Sequence, residues 1–93
     1  MIVINARILE KNRSVKKMAT INFEIEKVLG DLSTNRDGWK KQLTFTSWNG
    51  RAAKFDLRSW EPEYNAMTKG LTLTKEELLK LKDILNEMDF DEF

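Results

Sequence analysis

Trp48 and Trp60 stand in two stretches where polar and apolar residues alternate. In Trp39–Trp48, Leu43 and Phe45 share one parity, and Lys40, Gln42, Thr44, Thr46 and Trp48 share the other. In Arg51–Trp60, Phe55 and Leu57 share one parity, and Lys54, Asp56, Arg58 and Trp60 the other. On a strand, residues of one parity project from one face. The water-facing side of such a hairpin would then carry two tryptophans among Lys40, Lys54 and Arg58. Large aromatics on a solvent face usually mark a binding surface. Rings interleaved with cations suit single-stranded nucleic acid: bases stack on the rings at about 1–3 kcal/mol each, and phosphates pair with Lys and Arg. Stacking tolerates any base, so little sequence preference follows. Asp56 has the wrong sign for phosphate; it either orients Lys54 or Arg58 by pairing or lies outside the contact. The competing reading packs Trp48 and Trp60 into a core or a dimer interface, and alternation alone does not separate the two. Trp39 has the parity of Leu43 and Phe45 and is assigned to packing.

The residues that are missing narrow the chemistry. The chain has no cysteine and no histidine, so it lacks disulfides, thiolate ligands, a cysteine nucleophile and the commonest general base. Asp56, Glu61 and Glu63 could hold Mg²⁺ in a nuclease, but no base completes such a site. No phosphate-binding glycine loop or metal-ligand spacing occurs. The expectation is a binding protein, not an enzyme, with no cofactor and no metal. The net charge is only +1 over 93 residues. It is unevenly spread: Glu87, Asp89, Asp91 and Glu92 crowd the end, and residues 1–86 hold 16 basic against 11 acidic side chains, a net of +5. The apolar run Met1–Ile4 is too short for a membrane span or a signal core, so a cytoplasmic, nucleoid-associated protein is expected.

These residues need a sheet to hold them. Phe23–Leu32 reads as a first strand, Trp39–Trp48 as a second, Arg51–Trp60 as a third and Lys69–Leu73 as a fourth. Asn35-Arg36-Asp37-Gly38 makes a turn, and Asn49-Gly50 is the strongest hairpin signal. Thr74 with Glu77 forms a capping box for a helix to about Met88, whose Leu78, Leu81, Ile84, Leu85 and Met88 form one apolar stripe. That stripe is expected to pack on the sheet. One helix would still leave apolar area uncovered in so short a chain, which motivates a homodimer. Residues 1–20 carry Arg7, Lys11, Arg13, Lys16 and Lys17 against Glu10 alone. They are taken as a flexible arm or extension, although Ile2, Ile4 and Ala6 alternate as in a short strand and a basic arm could touch phosphates. The domain proper covers 21–88 and an acidic tail 89–93.

The run Trp39-Lys40-Lys41-Gln42-Leu43, Trp48-Asn49-Gly50-Arg51, Phe55-Asp56-Leu57-Arg58-Ser59-Trp60 and Lys69-Gly70-Leu71-Thr72-Leu73-Thr74 resembles the transcriptional coactivator positive cofactor four (p15) domain, nearest its small bacterial YdbC-like branch. The resemblance spans about Phe23 to Met88. It implies an α+β fold, a strongly curved four-stranded antiparallel sheet followed by one C-terminal helix, assembled as a homodimer whose groove binds single-stranded DNA with little sequence preference. By position, Trp48 matches the family's base-stacking aromatic, with Asn49 in the turn beside it. Arg51 matches the basic residue after the turn, and Arg58 and Trp60 the strand arginine and the aromatic near that strand's end. Lys69 matches the lysine before the glycine step, and Lys40 and Lys41 the basic start of the second strand. With Gln42, Thr44, Thr46 and Lys54, these form the expected nucleic-acid-binding set. Two departures stand out. Thr68 occupies a position that can be basic in the family. The stretch from Gly50 to Asp56 is one residue longer than the family pattern, so a bulge there could turn Lys54 to the other face.

Asp89, Phe90, Asp91, Glu92 and Phe93 resemble the acidic, aromatic-ended tip of bacterial single-stranded DNA-binding proteins, which recruits partner proteins. A solvated terminus is the plainer alternative. A rival for the whole chain is a protein-interaction module that uses its exposed tryptophans. Single-stranded RNA also stays open, because stacking and phosphate contacts do not read the sugar.

Overall fold

The computed structural model describes the backbone of Ile2–Ile4 and residues 22–93. Five antiparallel strands follow one another across a single sheet: β1 (Ile2–Ile4), β2 (Phe23–Thr34), β3 (Lys40–Trp48), β4 (Lys54–Trp60) and β5 (Leu71–Leu73). Helix α1 (Lys75–Glu87) and a single 3₁₀ turn (Phe90–Glu92) complete the chain. The four expected strands and the helix are all present. Ile2–Ile4 adds a short outer strand paired with Phe23–Ile25, so these three residues follow the strand reading and not the arm reading. The five N-terminal basic residues lie outside the described residues.

Local chemistry explains the connections. Asn35 Oδ1 accepts from the backbone N–H groups of Asp37 and Trp39, both at 2.9 Å, closing the β2–β3 turn. Asn49 (φ 52°) and Gly50 (φ 74°) occupy the left-handed region, as a type I′ turn requires, and Arg51 N–H donates to the Trp48 carbonyl at 3.0 Å. Pairing does not resume at once. Arg51–Ala53 bow out, and β4 begins three residues later than expected, at Lys54 opposite Thr46. From there the β3–β4 register is unbroken to Lys40 opposite Trp60. No bulge interrupts this pairing, so Lys54 keeps the face of Asp56 and Arg58. The irregularities fall in β2, where the register with β3 slips between Ile25 and Lys27, Val28 and Gly30, and Asp31 and Ser33. Each bulge adds bend and twist.

The curvature is measurable. Trp48 and Lys40 lie eight residues apart on β3, about 26 Å along a straight strand. Trp60, opposite Lys40, nonetheless brings its ring centroid to 6.3 Å from that of Trp48. The concave side therefore closes on itself and becomes the interior of the single chain. Phe23, Ile25 and Trp60 are buried there, with Trp48, Tyr64 and Met67 packed against them. This inverts the expected sidedness. Gln42, Thr44 and Thr46, read as solvent-facing, are buried, whereas Leu43, Phe45, Phe55 and Leu57 are only half-buried. The buried side chains of Gln42, Thr44 and Thr46 find hydrogen-bond partners, as burial demands. The Thr44 and Thr46 hydroxyls hydrogen-bond each other at 2.8 Å. Gln42 Nε2 donates to Asp31 Oδ1 at 2.8 Å, and Tyr64 Oη donates to Gln42 Oε1 at 3.1 Å.

Helix α1 starts as expected. Thr74 Oγ1 accepts from Glu77 N–H, and Glu77 Oε1 accepts from Thr74 N–H at 2.8 Å. These bonds hold the Glu77 carboxyl below the ordinary glutamate range. The cap's contribution is therefore present above that range and fades as acid protonates Glu77. The helix does not lie down on its own sheet. No α1 residue is buried, and Leu81, Ile84 and Leu85 are 37–57% exposed. The expectation that the stripe packs on the sheet of the same chain is overturned. Leu78 and Met88 of the stripe are half-buried, but Leu81, Ile84 and Leu85 face outward, as do exposed Leu71 of β5 and Val28, Leu29 and Leu32 of β2.

Candidate nucleic-acid interface

The hairpin loop bows out after Gly50, and β4 runs beside β5. Between them lies a shallow open depression of about 370 Å³, lined by Trp48, Asn49, Arg51, Ala52, Lys54, Arg58, Met67 and Thr72. Five of the expected binding residues meet here: Trp48, Asn49, Arg51, Lys54 and Arg58. Met67 and Thr72 were missed. Thr72 reaches the depression because β5 places it opposite Asp56, and Met67 because an isolated bridge ties it to Trp60. A residue pattern read one strand at a time shows neither pairing.

The other expected residues are placed elsewhere. Trp60, Thr44, Thr46 and Gln42 are buried under the concave face, so no ligand reaches them directly in this form. Trp60 shapes the site from beneath. Lys40 is exposed at the far end of β3, with its Nζ 3.8 Å from Asp31. Lys41 has the parity of Leu43 and Phe45 and is exposed on the opposite face. Lys69 is exposed just before Gly70.

Arg58 is the most constrained cation of the site. Its Nε and Nη2 donate to the Asp56 carboxylate at 2.7–3.0 Å, and its Nη1 lies 3.6 Å from Met67 Sδ. Its guanidinium carbon sits 4.5 Å from the centroid of the Trp48 ring, a cation–π geometry. Asp56 is fully buried and Arg58 keeps only 13% of its side-chain surface. Burial pushes the Asp56 carboxyl above the ordinary aspartate range, while the hydrogen bonds and charge of Arg58 pull it back. Of the two roles open to Asp56, it takes the orienting one, and Arg58 is the residue it orients. With its oxygens committed to Arg58, this carboxylate is not free to hold Mg²⁺ with Glu61 and Glu63.

Trp48 is half-buried. It lies near-parallel to Trp60 (12°) and tilts against Phe23 at 5.5 Å. Both indole N–H groups are buried without a hydrogen-bond partner among the described residues. Among the described residues, the rings are positioned by packing and by Arg58.

Gly70 explains how Arg58 fits. A Cβ at this position would lie 2.6 Å from the Leu57 carbonyl oxygen and 2.8 Å from Arg58 Nε, and would also crowd Arg58 Cβ. Backbone and side chain would both have to give. Gly70→Ala is expected to cost about 1–3 kcal/mol through overpacking and to shift Arg58 off Trp48. Denaturant titration and tryptophan emission check this, and an unchanged midpoint would contradict it.

The family profile described as Transcriptional Coactivator p15 (PC4) matches residues 35–84, from the β2–β3 turn into α1. A relative from Treponema pallidum (strain Nichols), described only as an uncharacterized protein, is 43% identical over 72 residues, covering 77% of this chain and 85% of its own. With the matched segment carrying the hairpin, the Asp56–Arg58 strand and the Gly70 step, the chain belongs to the Transcriptional Coactivator p15 (PC4) family.

Proposed function

We propose that this chain binds single-stranded DNA with little sequence preference, as a homodimer, and acts by binding rather than by catalysis. The family is one of nucleic-acid binders. The observation that carries the finer reading is the open depression where Trp48 and Asn49 meet Arg51, Lys54 and Arg58. A tryptophan beside cations on an open surface favours flexible strands whose bases can turn toward it. A duplex keeps its bases stacked inside. Support for the dimer comes from the outward apolar stripe of α1 and the exposed leucines of β2 and β5, which a second copy would cover. The acidic tail is read as a partner-recruiting segment, since Phe90 and Phe93 are 61% and 88% exposed between carboxylates. Service in transcription, repair or replication, inside the cytoplasm, belongs to the same proposal.

Fluorescence anisotropy with labelled oligo-dT, oligo-U and a duplex of matching length tests the reading. Tighter binding to oligo-dT than to the duplex is expected, weakening as salt rises. Equal affinity for both, or no salt dependence, overturns it. A preference for oligo-U moves the ligand to RNA.

A further inference from the structure

The three cations of the depression differ in what they have left to offer. Arg51 and Lys54 are exposed, and among the described residues neither forms an ion pair within 4 Å. Arg58 is the reverse. Its Nε–Nη2 edge is taken by Asp56, its Nη1 leans on Met67, one face covers Trp48, and Gly70 packs against its stem. An arginine grips phosphate best through a free two-donor edge, and Asp56 and Met67 already engage three of the five N–H donors of Arg58, its whole Nε–Nη2 edge included. The fully buried partner carboxylate also makes the pair neutral as a unit.

Resting on the strand-binding reading, we propose that Arg58 is a positioning residue, neutralised by Asp56 and bracing the Trp48 ring, and that Arg51 and Lys54 carry the phosphate contacts of this groove. The two roles leave different thermodynamic marks. Each phosphate contact on a single strand adds about 0.7 to the slope of log affinity against log salt. A neutral brace adds nothing to the slope and acts only through the ring it holds.

The test is a salt series of oligo-dT anisotropy titrations, each accompanied by the quench of tryptophan emission on binding. Arg51→Ala and Lys54→Ala are each expected to flatten the slope by about 0.7 and to keep the quench. The double variant Asp56→Asn/Arg58→Gln removes both charges while keeping hydrogen-bonding shape. It is expected to keep the wild-type slope, to bind about tenfold more weakly at every salt concentration, and to lose most of the quench. Arg58→Lys, which keeps the charge but not the planar edge, is expected not to restore affinity. A slope flattened by about 0.7 in the double variant, or full affinity with lysine at 58, overturns the proposal while leaving strand binding intact. Arg51 and Lys54 are surface residues whose truncation spares the fold, so an unchanged slope in both variants overturns it independently. If the wild-type protein does not bind oligo-dT at all, the strand-binding reading itself fails and takes this inference with it.

Discussion

Trp60→Ala is expected to cost about 3–5 kcal/mol, lowering Tm by about 15–30 °C for a domain of this size. Trp60 is 1% exposed. Its ring meets Phe23 at 5.3 Å, Tyr64 at 5.5 Å and Trp48 at 6.3 Å, so it is the common neighbour of the whole aromatic cluster. The cavity left behind would be bounded by the paired backbone of the curved sheet, and such a site collapses poorly. A small domain has few kcal/mol to spare, so most of the variant should be unfolded near body temperature. Thermal and denaturant melts followed by far-ultraviolet dichroism check this at a fixed protein concentration, because any assembly makes Tm depend on concentration. A loss below about 1 kcal/mol, well under the usual cost of truncating a core aromatic, would mean that Trp60 is not the centre of the core. Loss of strand binding by Trp60→Ala is expected too, but as a consequence of unfolding and not of a lost contact.

The second large effect concerns assembly. In the proposed homodimer, Leu81→Glu with Ile84→Glu is expected to separate the two chains. Both residues are exposed in the isolated chain, at 37% and 57%, and glutamate is a good helix former, so the helix itself is not the casualty. Burying such side chains against a partner is worth about 1.5–3 kcal/mol each. The double change should therefore weaken association at least 100-fold. Light scattering across a dilution series reads this directly. An unchanged particle mass would place the interface elsewhere, with the exposed leucines of β2 as the next surface to alter.

How much of this was legible in the sequence depended on whether the signal was local. The Asn49-Gly50 turn, the Asn35 turn and the Thr74–Glu77 capping box are each set by side chains within a few residues of the backbone they satisfy, and all three are where the pattern put them. Sidedness was not legible. Alternation assigns Thr44 and Thr46 to one face, but it does not say that the sheet will curl until that face becomes the interior. Two threonines tolerate burial only because their hydroxyls pair with each other. Trp60 went with them, because parity does not distinguish a ring on a surface from a ring beneath one. Arg51, Lys54 and Arg58 were found by charge and position. Their unequal roles depend on Asp56, whose pairing with Arg58 over Lys54 required coordinates. The helix stripe was recognised as apolar, yet nothing in its 3.6-residue rhythm says whether its own sheet or another chain covers it.

The three bulges of β2 have a consequence beyond curvature. Among the described residues, β1 covers only Phe23–Ile25, so the outer edge of β2 from Glu26 to Thr34 has no ladder partner. That edge is long and carries exposed Val28, Leu29 and Leu32, the combination that invites strands of other molecules to add on without limit. A kink at every third residue breaks the even spacing of N–H and C=O groups that such growth needs. Straightening β2 would flatten the groove and also turn a finite particle into a seed for fibres. By this argument the irregularity that bends the sheet also opposes edge-to-edge growth.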